Sequence, residues 1–431
     1  MKNSRNKLSR STISVIVIMI AAAIAASLSA IRYGIPFSPD TWTYVDAYDS
    51  LRNGEIDMWR TPLYPAIIGL CKSIAGDGFG WLIVALQIAV FVATIPLFYK
   101  FSSGIISRKG IAVVATAVYA AIVVESGFCQ FILSESLAGS LTVIIIYFAD
   151  RFIRKRRVGD AVALSIAALL IVALRPAQAY IPAILAVLAI AMIFKSLRNG
   201  YAKLPATILA LGMCIIAIST AVYAYAFKAR YGVESVTCVG TFNNYYTARF
   251  GGLITPESAC DDEIKADIER NIATNGIRVD SDEVCWAEIT ELIDRHSLLQ
   301  VDETVKAAIA ANRYEWYAMM AERALSSGID YRFPATWIPQ IQPRLNPIAL
   351  PMGVVYLAII AFGVIIILDI RKRRPSLLNL VIFAVVAGNF AVAIFAAKDD
   401  LDRLVFPSAS LIILIISIII FRLISLTKRD Y

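Results

Sequence analysis

The chain has 431 residues, of which 58% are hydrophobic and 17% charged, and its mean hydropathy is +0.68. This composition is far more apolar than that of a soluble domain of this length and indicates a polytopic membrane protein. The net charge of +8 does not point to nucleic acid, because the basic residues cluster at the ends of apolar runs. The single histidine, His296, excludes a multi-histidine metal site and a serine–histidine pair at the membrane.

Ten apolar runs predict an all-α protein with about 10 transmembrane helices. The first is long enough to span the bilayer, so we interpret it as an uncleaved helix rather than a signal peptide. The runs are Ile13–Ile31, Phe79–Tyr99, Ile111–Val124, Ile132–Ala149, Ala161–Leu174, Ala177–Phe194, Leu204–Phe227, Pro347–Leu368, Leu377–Ala397 and Leu404–Ile424.

The basic residues predict the orientation of these helices. Threading the chain from a cytoplasmic N-terminus places every short basic cluster on the inner side, from Arg108 and Lys109 to Lys428 and Arg429. One missed or invented helix would split these clusters between the two faces. Both termini are therefore predicted to be cytoplasmic.

The opposite face receives two long polar segments. Residues 32–78 form the first, which we name the first outer loop, and within it Asp40–Leu51 and Thr61–Ala75 are expected to be helices lying along the interface. Residues 228–346 form the second and have the composition of a soluble helical segment. The chain thus divides into an N-terminal membrane module (1–227), this outer segment and a C-terminal membrane module (347–431).

The sequence of the outer segment predicts three helices but does not determine whether or how its cysteines pair. The helices are expected near Glu257–Ala273, Asp282–His296 and Glu303–Ser326, with Asp280 or Ser281 capping the second. The six cysteines of the chain show no paired metal-ligand spacing. One disulfide among Cys238, Cys260 and Cys285 is compatible with an oxidising compartment, and the sequence favours no pair.

The stretch from Pro36 to Pro65 carries the first candidate residues. It interleaves carboxylates with aromatics, which can lie at headgroup depth, and it ends in Arg60 and a turn that contains Tyr64. Asp40 is a candidate general base or acceptor-binding carboxylate, with its basicity raised by partial desolvation at the bilayer edge. The alternative is that Asp40 only caps a helix.

Glu135 is the second candidate acid, in Ser134-Glu135-Ser136 at the start of the fourth predicted span. A carboxylate in the first turn of a helix is favoured by the helix dipole, which is the structural alternative. However, a carboxylate this close to hydrocarbon is costly and usually faces the interior of the helix bundle. We therefore retain Glu135 as a candidate catalytic residue.

Several basic residues are predicted on the same outer face as the two acids. Each alone could anchor to lipid headgroups, but together they suit a phosphate, which arginine can bind through two hydrogen bonds. The middles of the predicted spans hold almost no ionisable residues, unlike those of ion-coupled transporters. The substrate-binding candidates are Arg60, Tyr64, Lys72, Arg175 and Arg403.

These motifs, in this order, resemble the GT-C membrane glycosyltransferases, and most closely the protein-mannosyltransferase and aminoarabinose-transferase-like group. The residues that carry the resemblance are Asp40, Arg60-Thr61-Pro62-Leu63-Tyr64-Pro65, Ser134-Glu135-Ser136-Leu137, Arg175-Pro176 and Asp402-Arg403-Leu404-Val405-Phe406-Pro407. The resemblance implies inverting transfer of a sugar from a polyprenyl-phosphate donor to an extracytoplasmic lipid, glycan or protein acceptor. It assigns Asp40 to the catalytic acid of the first outer loop, Glu135 to a second acidic position, and Arg60, Arg175 and Arg403 to phosphate or substrate contacts.

A divalent cation near Asp40 is compatible with this function, but the sequence does not identify a set of metal ligands. The alternative function is a lipid or polysaccharide transporter without covalent chemistry, and a non-catalytic membrane scaffold is a third reading.

Overall fold

The computed structural model describes residues 9–333, 349–396 and 401–427. Within these ranges the regular secondary structure is helical apart from one antiparallel pair of two-residue strands, β1 (Arg332–Phe333) and β2 (Leu350–Pro351). The helices are α1 (Arg10–Tyr33), α2 (Pro39–Arg52), α3 (Leu63–Ala75), α4 (Phe79–Ile105), α5 (Lys109–Ser126), α6 (Glu135–Lys155), α7 (Val158–Leu174), α8 (Tyr180–Asn199), α9 (Leu204–Tyr231), α10 (Val239–Gly251), α11 (Asp262–Asn275), α12 (Asp282–Arg295), α13 (Leu298–Ala311), α14 (Arg313–Asp330), α15 (Met352–Arg371), α16 (Leu377–Ala396), α17 (Leu401–Val405) and α18 (Ala409–Thr427).

The predicted all-α polytopic membrane fold is confirmed. In the described part of the chain, nine helical stretches are long and apolar enough to cross a membrane; α3 continues into α4, and α17 into α18, within two of them. The predicted span Ala161–Leu174 corresponds to α7, a shorter apolar helix of 17 residues. A helix of this length reaches about 25 Å, which is close to the lower limit for crossing a bilayer.

The bundle has one large apolar core with α18 near its centre. Leu411, Leu414 and Ile415 of α18 are fully buried, and α18 packs against α5 and α15. Peripheral helices instead expose aliphatic side chains, such as Val17 of α1 and Ile218 of α9. Apolar side chains on the outside of such a bundle are expected to face lipid.

The two helices predicted in the first outer loop are present as α2 and α3, and their position at a membrane interface stays a prediction. Ser38 caps α2 by accepting the backbone N–H of Thr41, whose side chain in turn accepts the N–H of Ser38. The helices pack closely because Gly69 of α3 lies directly under the ring of Tyr48, where any Cβ would clash. A capping box and a glycine contact thus fix the geometry of this pair of helices.

The outer segment forms a second core, separate from that of the membrane helices. Its interior is built from residues such as Tyr245, Ile289 and Trp316. The predicted helix Asp282–His296 is α12, and Ser281 caps it through the backbone N–H of Val284. The predicted helix near Glu257–Ala273 corresponds to α11.

Two features of the outer segment differ from the sequence-based expectation. The predicted helix Glu303–Ser326 is wrong, because the chain breaks at Asn312 into α13 and α14. The amide of Asn312 donates to the carbonyl of Ala308 at 2.9 Å, and asparagine favours such breaks by competing with backbone hydrogen bonds. Helix α10 was not expected at all.

The cysteines do not pair. All six lie in the described ranges and are free thiols, including Cys238, Cys260 and Cys285, so none of the disulfides that the sequence left open is formed.

Candidate functional site

Asp40 lies in the first turn of α2, and both of its carboxylate oxygens are bound to guanidinium groups. Arg60 Nη2 lies 2.7 Å from Asp40 Oδ1, and Arg403 Nη1 lies 2.7 Å from Asp40 Oδ2. The helix cap is supplied by Ser38 rather than by Asp40. The capping alternative for Asp40 is therefore wrong, and its carboxylate is held by charge.

Glu135 begins α6 and is joined to the same group of charges. Its Oε1 lies 3.0 Å from Arg175 Nη1 and 3.4 Å from Arg403 Nε. Only 4% of the Glu135 side chain is exposed, and its second oxygen, Oε2, has no hydrogen-bond partner among the described residues. Arg403 thus bridges the two acids.

The site gathers segments that are far apart in the chain. The first outer loop contributes Asp40 and Arg60, the start of α6 contributes Glu135, the residue after α7 is Arg175, and α17 carries Arg403. Among the described residues, the cluster joins two carboxylates to three guanidinium groups. An arginine-rich cluster of this kind can accept an anion such as a phosphate.

Local structure in the first outer loop orients Arg60. Asp57 Oδ1 accepts the backbone N–H groups of Trp59 and Arg60 at 2.8 and 2.7 Å, which forms a turn of the kind that aspartate favours. The guanidinium of Arg60 then donates from Nε to Thr43 Oγ1 at 2.7 Å and lies 4.1 Å from the centre of the Tyr44 ring. The turn and the aromatic face hold Arg60 toward Asp40.

The residues that support Arg60 were missed in the sequence. Thr43 and Tyr44 lie in α2, and the Tyr44 hydroxyl lies 3.0 Å from Ser134 Oγ, next to Glu135. A spacing of three and four residues from Asp40 was the available signal, because residues at these separations share one face of a helix. The hydroxyl contact links the two acidic segments.

The ionisation of Asp40 differs from the sequence-based expectation. Burial raises the pKa of Asp40, but the charges of Arg60 and Arg403 and their hydrogen bonds lower it by more, so the pKa falls from 3.8 to about 2. The expectation that desolvation makes Asp40 more basic is therefore wrong for this arrangement. Two guanidinium groups at contact distance outweigh the partial burial.

The depressed pKa of Asp40 predicts a pH dependence of stability. A carboxyl group whose pKa falls from 3.8 to about 2 on folding stabilises the folded state above pH 3.8, and this contribution is lost as the pH falls toward 2. We expect the difference in thermal unfolding midpoint between wild type and Asp40→Asn to be constant above this range and to shrink within it. Thermal unfolding of the purified protein followed at several pH values checks this, and a difference that grows on acidification would contradict it.

Two of the predicted substrate-binding residues lie outside this charged group. The Tyr64 side chain is fully buried, and its hydroxyl donates to Gln87 Oε1 at 3.2 Å. The Tyr64 ring packs against Tyr44 at a centroid distance of 4.8 Å, so it supports the ring that Arg60 covers. Lys72 lies near the end of α3 with its Nζ 5.6 Å from the centre of the Phe79 ring, and no ion pair of Lys72 is found within the described residues.

The first outer loop is also anchored to the outer segment. Trp59 packs between Phe242 and Trp286, with ring centroids 4.3 and 5.2 Å away, and the backbone N–H of Cys238 donates to the carbonyl of Met58 at 2.8 Å. Trp59 therefore belongs to the core of the outer segment rather than to a headgroup layer. Phe37 and Trp42, which stack at 5.3 Å and are exposed, remain candidates for that layer.

The described residues offer no ligand set for a divalent cation. Across the described residues, no group of three or more histidine, cysteine, aspartate or glutamate side chains is placed to hold a metal ion. Asp40 and Glu135 are instead engaged by arginines.

No protein-family model matches this chain, and no curated protein matches it significantly. The apo crystal structure of the Archaeoglobus fulgidus oligosaccharyltransferase is similar, with a TM-score of 0.50 and 12% identity over 96% of this chain and 51% of that chain. The chain shares the fold of that oligosaccharyltransferase. It spans about half of the oligosaccharyltransferase's length.

Two other solved structures are similar at lower TM-scores. The oligosaccharyltransferase AglB from Archaeoglobus fulgidus, in complex with an inhibitory peptide and a dolichol-phosphate, gives a TM-score of 0.47 at 12% identity over 96% of this chain and 51% of that chain. ArnT from Cupriavidus metallidurans bound to undecaprenyl phosphate gives 0.36 at 12% identity over 93% of this chain and 77% of that chain. The fold shared with the apo oligosaccharyltransferase agrees with the GT-C architecture expected from the motifs.

Proposed function

We propose that this protein is an inverting glycosyltransferase that moves a sugar from a polyprenyl-phosphate donor to an extracytoplasmic lipid, glycan or protein acceptor. The single observation that carries the proposal is the cluster of Asp40 and Glu135 with Arg60, Arg175 and Arg403 at one end of the helix bundle. The oligosaccharyltransferase fold supports a transferase architecture. The mannosyltransferase-like subgroup remains a prediction from the motifs.

The proposed orientation places this site outside the cell membrane and both termini in the cytoplasm. Helix α6 supports it, since it begins at Glu135 in the site and ends in the basic residues Arg154 and Lys155. Helix α8 likewise ends near Lys195 and Arg198. Basic residues at the end of the bundle away from the site suit the cytoplasmic face.

In the proposed reaction, the donor phosphate competes with Asp40 for Arg403 and Arg60. Arg175, which pairs with Glu135 at 3.0 Å, adds a third cation at this position. Guanidinium groups stabilise the negative charge that develops on the phosphate as the bond to the sugar breaks. The lipid tail stays in the bilayer while the phosphate and sugar reach the charged cluster.

Asp40 then acts on the acceptor. Once the phosphate has drawn Arg403 away, the Asp40 carboxylate is less strongly paired and more basic than in the free protein. It accepts the proton of the acceptor hydroxyl, whose oxygen attacks the anomeric carbon on the face opposite the phosphate. The new carbon–oxygen bond forms as the bond to the phosphate oxygen breaks, and polyprenyl phosphate leaves with that electron pair.

The transfer assay that tests the proposal uses the purified full chain and a polyprenyl-phosphate donor with a radiolabelled sugar. We expect release of free polyprenyl phosphate together with the appearance of label in the acceptor. The new glycosidic bond is expected to have the anomeric configuration opposite to that of the donor. The alternative, a transporter without covalent chemistry, predicts an intact donor that changes leaflet in reconstituted vesicles. Movement of intact donor without any release of polyprenyl phosphate would overturn the enzyme assignment.

A further inference from the structure

A second charged cleft lies at the end of the bundle away from Asp40. It has a volume of about 450 Å³ and opens between α4, α6, α8, α16 and α18. Its wall combines cationic side chains with aliphatic and aromatic ones. The residues used below are Arg154, Lys195, Arg422, Asn379, Ile153, Leu378 and Phe421.

This cleft is distinct from the candidate active site. Glu135 begins α6 and Arg154 lies one residue before its end. At 1.5 Å per residue, about 28 Å of helix separates the two side chains. The cleft therefore lies on the opposite face of a membrane-spanning bundle.

The cations of the cleft are held in place and are not all neutralised. Arg154 Nε lies 2.7 Å from Asp150 Oδ1, and the guanidinium of Arg422 pairs with both oxygens of Asp369 at 3.1 and 2.6 Å. Lys195 has no ion-pair partner in the part of the chain that the structure describes. One positive charge is thus left over for a bound anion.

A glycine makes room for one of these cations. The guanidinium of Arg154 lies directly against the backbone of Gly104 in α4, where an added Cβ would clash with its Nη atoms. Side chains larger than hydrogen would push the guanidinium out of this wall. Gly104 thus leaves space for the guanidinium of Arg154, whose side chain is half-exposed.

Asn379 supplies an unsatisfied acceptor in the same cleft. Only 7% of the residue is exposed, and its side-chain oxygen Oδ1 has no hydrogen-bond partner among the described residues. The Asn379 backbone N–H donates to Ser376 Oγ at 3.3 Å, which fixes the start of α16. A buried acceptor without a donor is costly, so a ligand that donates a hydrogen bond is favoured here.

We propose that this cleft binds the headgroup of an anionic phospholipid that carries a hydroxyl group, such as phosphatidylglycerol. The phosphate lies among Lys195, Arg154 and Arg422, and a headgroup hydroxyl donates to Asn379 Oδ1. The acyl chains extend along Ile153, Leu378 and Phe421. A choline lipid supplies neither the net negative charge nor the hydrogen-bond donor.

The test measures lipid binding to the purified, delipidated full chain by native mass spectrometry. Phosphatidylglycerol is compared with phosphatidylcholine in wild type and in two variants of exposed cations on α8, Lys195→Gln in the cleft and Arg198→Gln outside it. We expect Lys195→Gln to weaken phosphatidylglycerol binding about fivefold, as for one lysine near an anionic headgroup, and Arg198→Gln to leave it unchanged. Equal binding of the two lipids, or equal losses in the two variants, would overturn the proposal.

A second comparison tests the role of Asn379. Phosphatidylmethanol has the same charge as phosphatidylglycerol but no headgroup hydroxyl, so wild type is expected to prefer phosphatidylglycerol and Asn379→Leu to lose that preference. Undecaprenyl phosphate and inorganic phosphate serve as competitors. Displacement of phosphatidylglycerol by either at equal concentration would assign the cleft to the carrier lipid or to free phosphate and refute the proposal. These readouts do not depend on sugar transfer.

Discussion

Asp40→Asn is expected to reduce sugar transfer from a polyprenyl-phosphate donor by about 10²–10⁴-fold, the range that a positioned proton acceptor contributes. Asparagine keeps the shape of the side chain but cannot take a proton from the acceptor hydroxyl. The turnover number of the purified protein, measured with saturating labelled donor, checks this.

Asp46→Asn is the matched control for Asp40→Asn. Asp46 lies on the same helix, α2, but is exposed to solvent. We expect turnover of this variant to equal that of wild type. Because Asp40→Asn also leaves Arg60 and Arg403 without their carboxylate, the thermal stability of both variants is measured beside turnover. Full activity in a folded Asp40→Asn protein would remove Asp40 from the catalytic role.

The second large effect is expected in the outer segment, at Glu288. Its carboxylate receives two hydrogen bonds of 2.8 Å from the guanidinium of Arg249, and it also accepts from Tyr245 and Asn275. Arg249 is only 1% exposed. Glu288→Ala leaves this buried guanidinium without a counter-charge, which is expected to destabilise the outer segment by about 3–5 kcal/mol.

Hydrogen exchange of the full chain in detergent measures this loss, through the protection of amides in α10 and α12. Glu291→Ala is the control, since Glu291 on the same helix pairs with Arg295 at 2.7 Å in a half-exposed i, i+4 pair. Such exposed helix pairs contribute about 0.3–0.5 kcal/mol. The double variant Arg249→Met with Glu288→Leu is expected to recover much of the protection, because a packed apolar pair can replace a buried ion pair. Equal losses in Glu288→Ala and Glu291→Ala would contradict this account.

The sequence predicted those parts of the fold that depend on local signals. Apolar runs of sufficient length located the membrane helices, and aromatic and apolar residues at helical spacing predicted α2 and α3. The error at Asn312 also concerns a local signal. The helical pattern of apolar residues continues across this position, and Asn312 itself is the sign in the sequence that one helix ends and the next begins. Both outcomes reflect interactions between residues close in the chain.

The arrangement of the site could be predicted only in part. Glu135 was singled out because a carboxylate so close to hydrocarbon is costly, and Asp40 and the arginines because they lie near the ends of predicted spans on the same face. Their pairing could not be predicted from the sequence, since Asp40 and Arg403 are separated by 363 positions and come into contact only because α17 lies beside α2 in the folded protein. For the same reason the predicted direction of the Asp40 pKa shift was wrong. Desolvation at the bilayer edge could be expected from the position of Asp40 in the sequence, whereas the contacts with the two arginines form only in the tertiary structure.

The most direct test of the central claim is a cryo-electron microscopy structure of Asp40→Asn in a lipid nanodisc with a non-hydrolysable polyprenyl-phosphonate sugar. We predict that the phosphonate group contacts Arg403 and at least one of Arg60 and Arg175 at hydrogen-bond distance, with the sugar beside residue 40 and the lipid tail leaving sideways between the helices. A saturating analogue bound elsewhere, with the contact between Arg403 and Glu135 undisturbed, would contradict the account.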